Sequence, residues 1–178
     1  MKRLREFEVP YIGLKLGVHK FSFDIDGKFF NNFPGTLIQE CKVKVGVEFD
    51  KKETFFILSF FIDGTVKVDC DRCLVPFDKS IFGDYTCYVK FAEDPSKVNE
   101  EPDVLFISRD QTIIDLSQLI YEYINLCLPM QKVGCESPGN EAQCNKEVLK
   151  YLIPELGKEK ETKGEGDPRW AVLKNLKN

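Results

Sequence analysis

The sequence predicts an α+β fold: an antiparallel, strongly twisted sheet or partial β-barrel, then two or three helices, with a loop-borne cysteine cluster pinning the helical part to the β part. Three observations lead there. Strict alternation of apolar and polar residues dominates the first two thirds, as in Cys41-Lys-Val43-Lys-Val45-Gly-Val47-Glu-Phe49, which is the period of a half-buried strand. After Asp115 the apolar spacing changes to that of a helix. Between these stretches lies Cys70-Asp71-Arg72-Cys73, with Cys135 and Cys144 downstream.

The elements follow in order. Phe21-Ser-Phe23-Asp-Ile25-Asp-Gly27 alternates and ends in a turn. Cys41 to Phe49 is the next strand, and Asp50 to Glu53 is polar enough to turn the chain. Thr54 to Ile62 is apolar and aromatic at nearly every position, which predicts a central strand buried on both sides. Asp63-Gly64 is a strong short hairpin signal. Thr65 to Cys70 is then the returning strand, delivering the chain into the cysteine pair. Phe77 to Phe82 and Tyr85 to Phe91 continue the sheet as an antiparallel meander. Asp115-Leu-Ser-Gln118 offers an N-cap with a glutamine three residues on. Leu116, Leu119, Ile120, Tyr123, Ile124 and Cys127 form the stripe of the helix that follows, and Pro129 ends it. Asn145 to Ile153 reads as a short helix stopped by Pro154. Gly157 to Gly166 is a polar linker by composition, and Asp167-Pro168 opens a last short helix. The expected organisation is one domain over residues 1–156, a linker over 157–166 and a docking helix over 167–178.

Composition narrows the function. A chain of 178 residues with 15 phenylalanines can build one sizeable core. Met1-Lys2-Arg3-Leu4-Arg5-Glu6 does not lead into an apolar signal region, and no stretch nears the roughly 20 apolar residues of a spanning helix. The expectation is a cytoplasmic protein with no membrane partner, whose seven cysteines stay reduced. A net charge of −4 permits nucleic-acid contact without indicating it. His19 is the single histidine, and no nucleotide-binding, serine-hydrolase or zinc-protease motif occurs. No nucleophile with its base can be assembled, so the expectation is a non-enzyme without a small-molecule substrate.

Cys41, Cys87 and Cys127 sit on apolar strand or helix faces, where a thiol packs as a small hydrophobe. Cys70, Cys73, Cys135 and Cys144 lie in loops and are candidate ligands of one Zn²⁺, because a C-x-x-C turn aims two sulfurs at one point. Ordinary reduced loop thiols are the alternative. A redox dithiol fits less well, since that chemistry wants the pair to open a helix after a strand. Lys42 and Lys44 on the polar strand face, Lys51 and Lys52 in the turn, and Lys67 and Arg72 beyond them are candidate RNA contacts. Arg169, Trp170 and Leu173 are candidate docking residues, Trp170 being the only tryptophan.

Three segments carry a family resemblance. Val68-Asp-Cys70-Asp-Arg-Cys73-Leu-Val-Pro-Phe77 resembles the C-x-R-C-L-x-P-F signature of the YceD family, the large ribosomal RNA subunit accumulation proteins. Asp115-Leu-Ser-Gln-Leu-Ile-Tyr-Glu122 with Leu126-Cys-Leu-Pro129 resembles that family's helix, and Asp167-Pro168-Arg169-Trp170-Ala-Val-Leu173-Lys its C-terminal signature. The resemblance implies a bacterial or chloroplast-type factor for synthesis, processing or stability of large-subunit ribosomal RNA. Its implied partners are that RNA or a large-subunit ribosomal protein. Many members carry a second C-x-x-C; this chain keeps Cys135 and Cys144 but lacks that knuckle. The rival reading is a zinc- or thiol-dependent redox or RNA-processing enzyme.

Overall fold

A computed structural model describes residues 4–38, 40–95, 101–134, 145, 147–148 and 151. After a short 3₁₀ turn at Arg5–Phe7, the elements are β1 (Glu8–Val9), β2 (Gly17–Asp26), α1 (Gly27–Phe30), β3 (Glu40–Lys51), β4 (Phe55–Asp69), β5 (Pro76–Ala92), β6 (Val104–Ser108), β7 (Ile114–Asp115) and α2 (Ser117–Leu126). The α+β class holds. The sheet, however, is mixed: its order is β2-β3-β4-β5-β6, the first three pairings are antiparallel, and β6 runs parallel to β5 with Tyr88 beside Val104. The expected all-antiparallel sheet is corrected at that edge. β1 and β7 form a separate antiparallel pair, Val9 opposite Ile114.

The expected hairpin at Asp63-Gly64 is not a turn. β4 passes straight through it for 15 residues, so Phe55 to Ile62 and Thr65 to Asp69 are one strand. Gly64 is there for a different reason. It faces Val43 across the β3–β4 ladder, and a Cβ on it would lie 2.3 Å from the Lys42 carbonyl oxygen. Such close backbone approach is the other reason a glycine interrupts a strand. The two expected strands Phe77 to Phe82 and Tyr85 to Phe91 likewise merge into the 17-residue β5.

One face of the sheet is covered. Odd positions of β3 and even positions of β4 are buried, giving Val43, Val45, Val47 and Phe49 against Phe56, Leu58, Phe60 and Ile62. β4 is therefore central but buried on one side only, because Phe61 on the opposite face is 45% exposed. The lid over the covered face is α2 together with α1 and the β1–β7 pair. Tyr123 of α2 sets its ring edge-on to Phe60 at 5.0 Å and flat against Tyr85 at 4.7 Å. Tyr121 stacks on Phe33 at 4.1 Å. These pairs add to the burial of the apolar stripe predicted for this helix.

An aspartate stands at the head of each helix, but it is the N-cap only in α1; the N-cap of α2 is Leu116, with no side-chain cap bond, and Asp115 lies one residue before it. Asp26 Oδ1 accepts from the backbone of Lys28 (2.9 Å) and Phe29 (3.4 Å), starting α1 where a plain turn was expected. Asp115 Oδ1 accepts from Ser117 N at 2.9 Å, while Gln118 turns instead to Glu122. In the second predicted helix, Asn145 Oδ1 accepts from Glu147 N (3.1 Å) and Val148 N (3.4 Å), as an N-cap does. The linker over 157–166 and the helix over 167–178 lie outside the described residues.

Candidate metal centre

The C-x-x-C segment is itself the β4–β5 turn. β4 ends at Asp69 and β5 starts at Pro76, with Asp69 opposite Pro76. Within the turn Cys70 N–H donates to the Val75 carbonyl (3.1 Å) and Leu74 N–H to the Cys70 carbonyl (2.9 Å). Leu74 takes the left-handed conformation, φ 60°, that lets the chain reverse. Two long neighbouring strands thus hold the cysteine turn from both sides. Cys70 and Cys73 are only 1% and 2% exposed.

A second segment is fastened to this turn. Asp71 N–H donates to the Lys132 carbonyl at 2.8 Å, and Lys132 N–H returns a bond to Asp71 Oδ2 at 2.7 Å. The Lys132 ammonium lies 3.2 Å from Asp71 Oδ1. Two residues on, Gly134 N–H donates to Cys70 Sγ at 3.4 Å. A side chain at Gly134 could not fit, since a Cβ there would come within 2.6 Å of the Phe77 ring. The backbone that leads directly into Cys135 is therefore tied to the first sulfur of the knuckle. Sequence reading picked out the cysteines but missed Asp71, Lys132 and Gly134. The only available signal was the glycine just before Cys135.

The Asp71 carboxyl is held below its ordinary range, first by the Lys132 backbone N–H and then by the Lys132 side chain. A depressed folded-state value adds stability above the ordinary aspartate range and loses it as pH falls through the folded-state value. Acidification below about pH 4 should therefore loosen the clamp. Asp71→Asn should flatten the acid limb of a urea-unfolding series measured between neutral and strongly acidic pH. An unchanged acid limb would remove Asp71 from this role.

Of the four proposed ligands, Cys70 and Cys73 come together here, and Cys135 and Cys144 lie outside the described residues. Among the described residues no group of three or more His, Cys, Asp or Glu is placed to hold a metal. The two sulfurs that are described do suit one: they are buried, share a turn, and one accepts a backbone N–H, the bond that steadies a thiolate. The remaining cysteines sit in packing positions. Burial raises the Cys41 thiol to about 11, with Asp26 adding to the effect, and burial also raises Cys87 and Cys127. Cys127 Sγ lies 3.7 Å from the Tyr85 hydroxyl.

The candidate RNA contacts are dispersed. The Lys51 ammonium points to the carbonyls of Tyr11 (2.9 Å) and Leu14 (2.8 Å), anchoring the segment before β2. Lys52 pairs with Asp50 at 2.7 Å, and Lys67 pairs with Glu40. Lys42 stands between Asp26 and Thr65, and Lys44 between Asp24 and Asp63, in the cross-strand register. Arg72 lies in the cysteine turn and has interactions of its own. The open face as a whole is acidic. β2 adds Lys20, Asp24 and Asp26; β3 adds Glu40, Lys42, Lys44, Glu48 and Asp50; β4 adds Asp63, Lys67 and Asp69; β5 adds Asp78, Asp84 and Lys90. Nine carboxylates thus share this face with five ammonium groups. Arg169, Trp170 and Leu173, the candidate docking residues, lie outside the described residues.

No helix among the described residues is long and apolar enough to cross a membrane. The sequence profile of the family described as large ribosomal RNA subunit accumulation protein YceD matches residues 58–177. That range takes in most of β4, the cysteine turn, β5, α2 and the segment leading to Cys135. No curated protein and no solved structure matches the chain.

Proposed function

Since the chain belongs to the YceD family of large ribosomal RNA subunit accumulation proteins, we propose that it supports the synthesis, processing or stability of large-subunit ribosomal RNA without being an enzyme. It would do so by binding that RNA or a ribosomal protein of the large subunit. The observation that carries the reading is the placement of the family match: it covers the cysteine turn and the helix that roofs the sheet. In this reading Cys70, Cys73, Cys135 and Cys144 hold one structural Zn²⁺ that pins the segment after α2 to the β4–β5 turn. The bound ion would supply folding free energy rather than catalysis. Support comes from the Gly134 N–H on Cys70 Sγ, which brings the chain to the sulfur one residue before Cys135. Burial of Cys70 and Cys73 also weighs against an exposed redox dithiol, because a reacting thiolate needs access.

Depletion of the chain from its own cells should lower mature large-subunit ribosomal RNA relative to small-subunit RNA. Restoring the full chain should restore the ratio. Quantifying both RNAs after depletion checks this, and an unchanged ratio would reject the reading.

A further inference from the structure

The open face of the sheet points to a partner, and the point rests on the ribosomal role proposed above. In the β4–β5 register Phe61 lies opposite Asp84, and Asp63 lies opposite Phe82. Two rings take one diagonal of a four-residue square and two carboxylates take the other. All four face away from the covered side, with Phe61 45% and Phe82 83% exposed. β3 places Gly46 beside Phe61, so no side chain walls off the ring there. Lys44 stands on the far side of Asp63, whereas Asp84 has an aromatic neighbour across the ladder.

Together the two exposed rings offer a partner apolar surface on an otherwise charged sheet face. A guanidinium or ammonium group suits the square, because it can lie on a ring face and bond to the adjacent carboxylate. The field of the wider face, with nine carboxylates to five ammonium groups, attracts cations and repels phosphates. We infer that this face docks an arginine- or lysine-rich segment of a partner protein rather than RNA, with Phe61, Asp63, Phe82 and Asp84 at its centre. A ribosomal protein tail, built to neutralise RNA, is a segment of that chemistry.

The test uses the full chain, a labelled oligo-arginine peptide and a labelled oligo-uridine, read by fluorescence anisotropy at two salt concentrations. The peptide should bind more tightly than the RNA and weaken as salt rises. Asp63→Asn with Asp84→Asn should weaken peptide binding about tenfold, and Phe61→Ala with Phe82→Ala by a similar factor. Glu53→Gln with Asp110→Asn, which removes two charges elsewhere, should change it less than about twofold. Three results would overturn the inference. Equal losses in the face and control variants would make the attraction unspecific. Oligo-uridine binding that is lost with the face variants would make the face an RNA surface. Phe82→Ala that shifts Trp170 emission, or abolishes self-association, would mean that this chain covers its own face. If the face proves inert while depletion still lowers ribosomal RNA, the ribosomal role stands and only the docking surface is rejected.

Discussion

Replacing Cys70 with serine should lower the thermal midpoint by roughly 10 °C, equivalent to about 3 kcal/mol in a chain of this size. The expected loss has two sources. Cys70 is 1% exposed and accepts the Gly134 N–H, so its replacement disturbs a buried contact between the β4–β5 turn and the segment after α2. It also removes one of four proposed metal ligands, and binding energy at a structural zinc is folding energy. A chelator separates the two. In the unaltered chain a strong chelator should reproduce most of the midpoint loss, whereas Cys70→Ser should respond little further, because the two perturbations share one target. Cys41→Ser, at a half-buried strand position, should cost less and leave the chelator response intact. Equal chelator responses in Cys70→Ser and the unaltered chain would place the metal elsewhere.

Gly64→Ala is expected to be nearly as damaging. The added Cβ would lie 2.3 Å from the Lys42 carbonyl oxygen and 2.6 Å from Val43 Cα, both backbone atoms of the adjacent strand. Neither can rotate away, so the β3–β4 ladder must open at the Val43–Gly64 pair. The cost should be about 3 kcal/mol. Gly46→Ala, on β3 in the same ladder, is the control, since its Cβ would meet Phe61 at an ordinary 3.8 Å. Chemical denaturation of both variants decides the matter. A loss below about 1 kcal/mol at Gly64, the figure for a glycine in an exposed turn, would contradict a continuous β4.

Gly64 also shows where the sequence was legible and where it was not. The alternation of residues 41–49 and the helical stripe after Asp115 were readable because each reports local burial directly. Asp63-Gly64 misled because a glycine that permits a tight turn and a glycine that permits a neighbouring backbone to come close look alike in one dimension. The true strand reversal, Cys70 to Val75, contains no glycine and reverses on Leu74, so only its cysteine spacing marked it as a turn. β6 was missed for a related reason. Val104-Leu-Phe-Ile-Ser108 is a short apolar run behind an acidic stretch, and only its tertiary pairing to β5 makes it a strand. At the site, residue type found the cysteines, but the contacts of Asp71, Lys132 and Gly134 span more than 60 positions. Spacing cannot foresee such contacts. The surroundings of the lysines were hidden in the same way: Lys42 and Lys44 share a face, and the strands that flank them bring in Asp24, Asp26 and Asp63.

The most direct measurement of whether the cysteine turn is a metal centre is the zinc content of full-length protein purified without chelator, by elemental analysis alongside thiol titration. About one zinc per chain is expected, with Cys70, Cys73, Cys135 and Cys144 protected until a chelator is added. Absence of zinc, with all four thiols reacting freely in the folded protein, would contradict it.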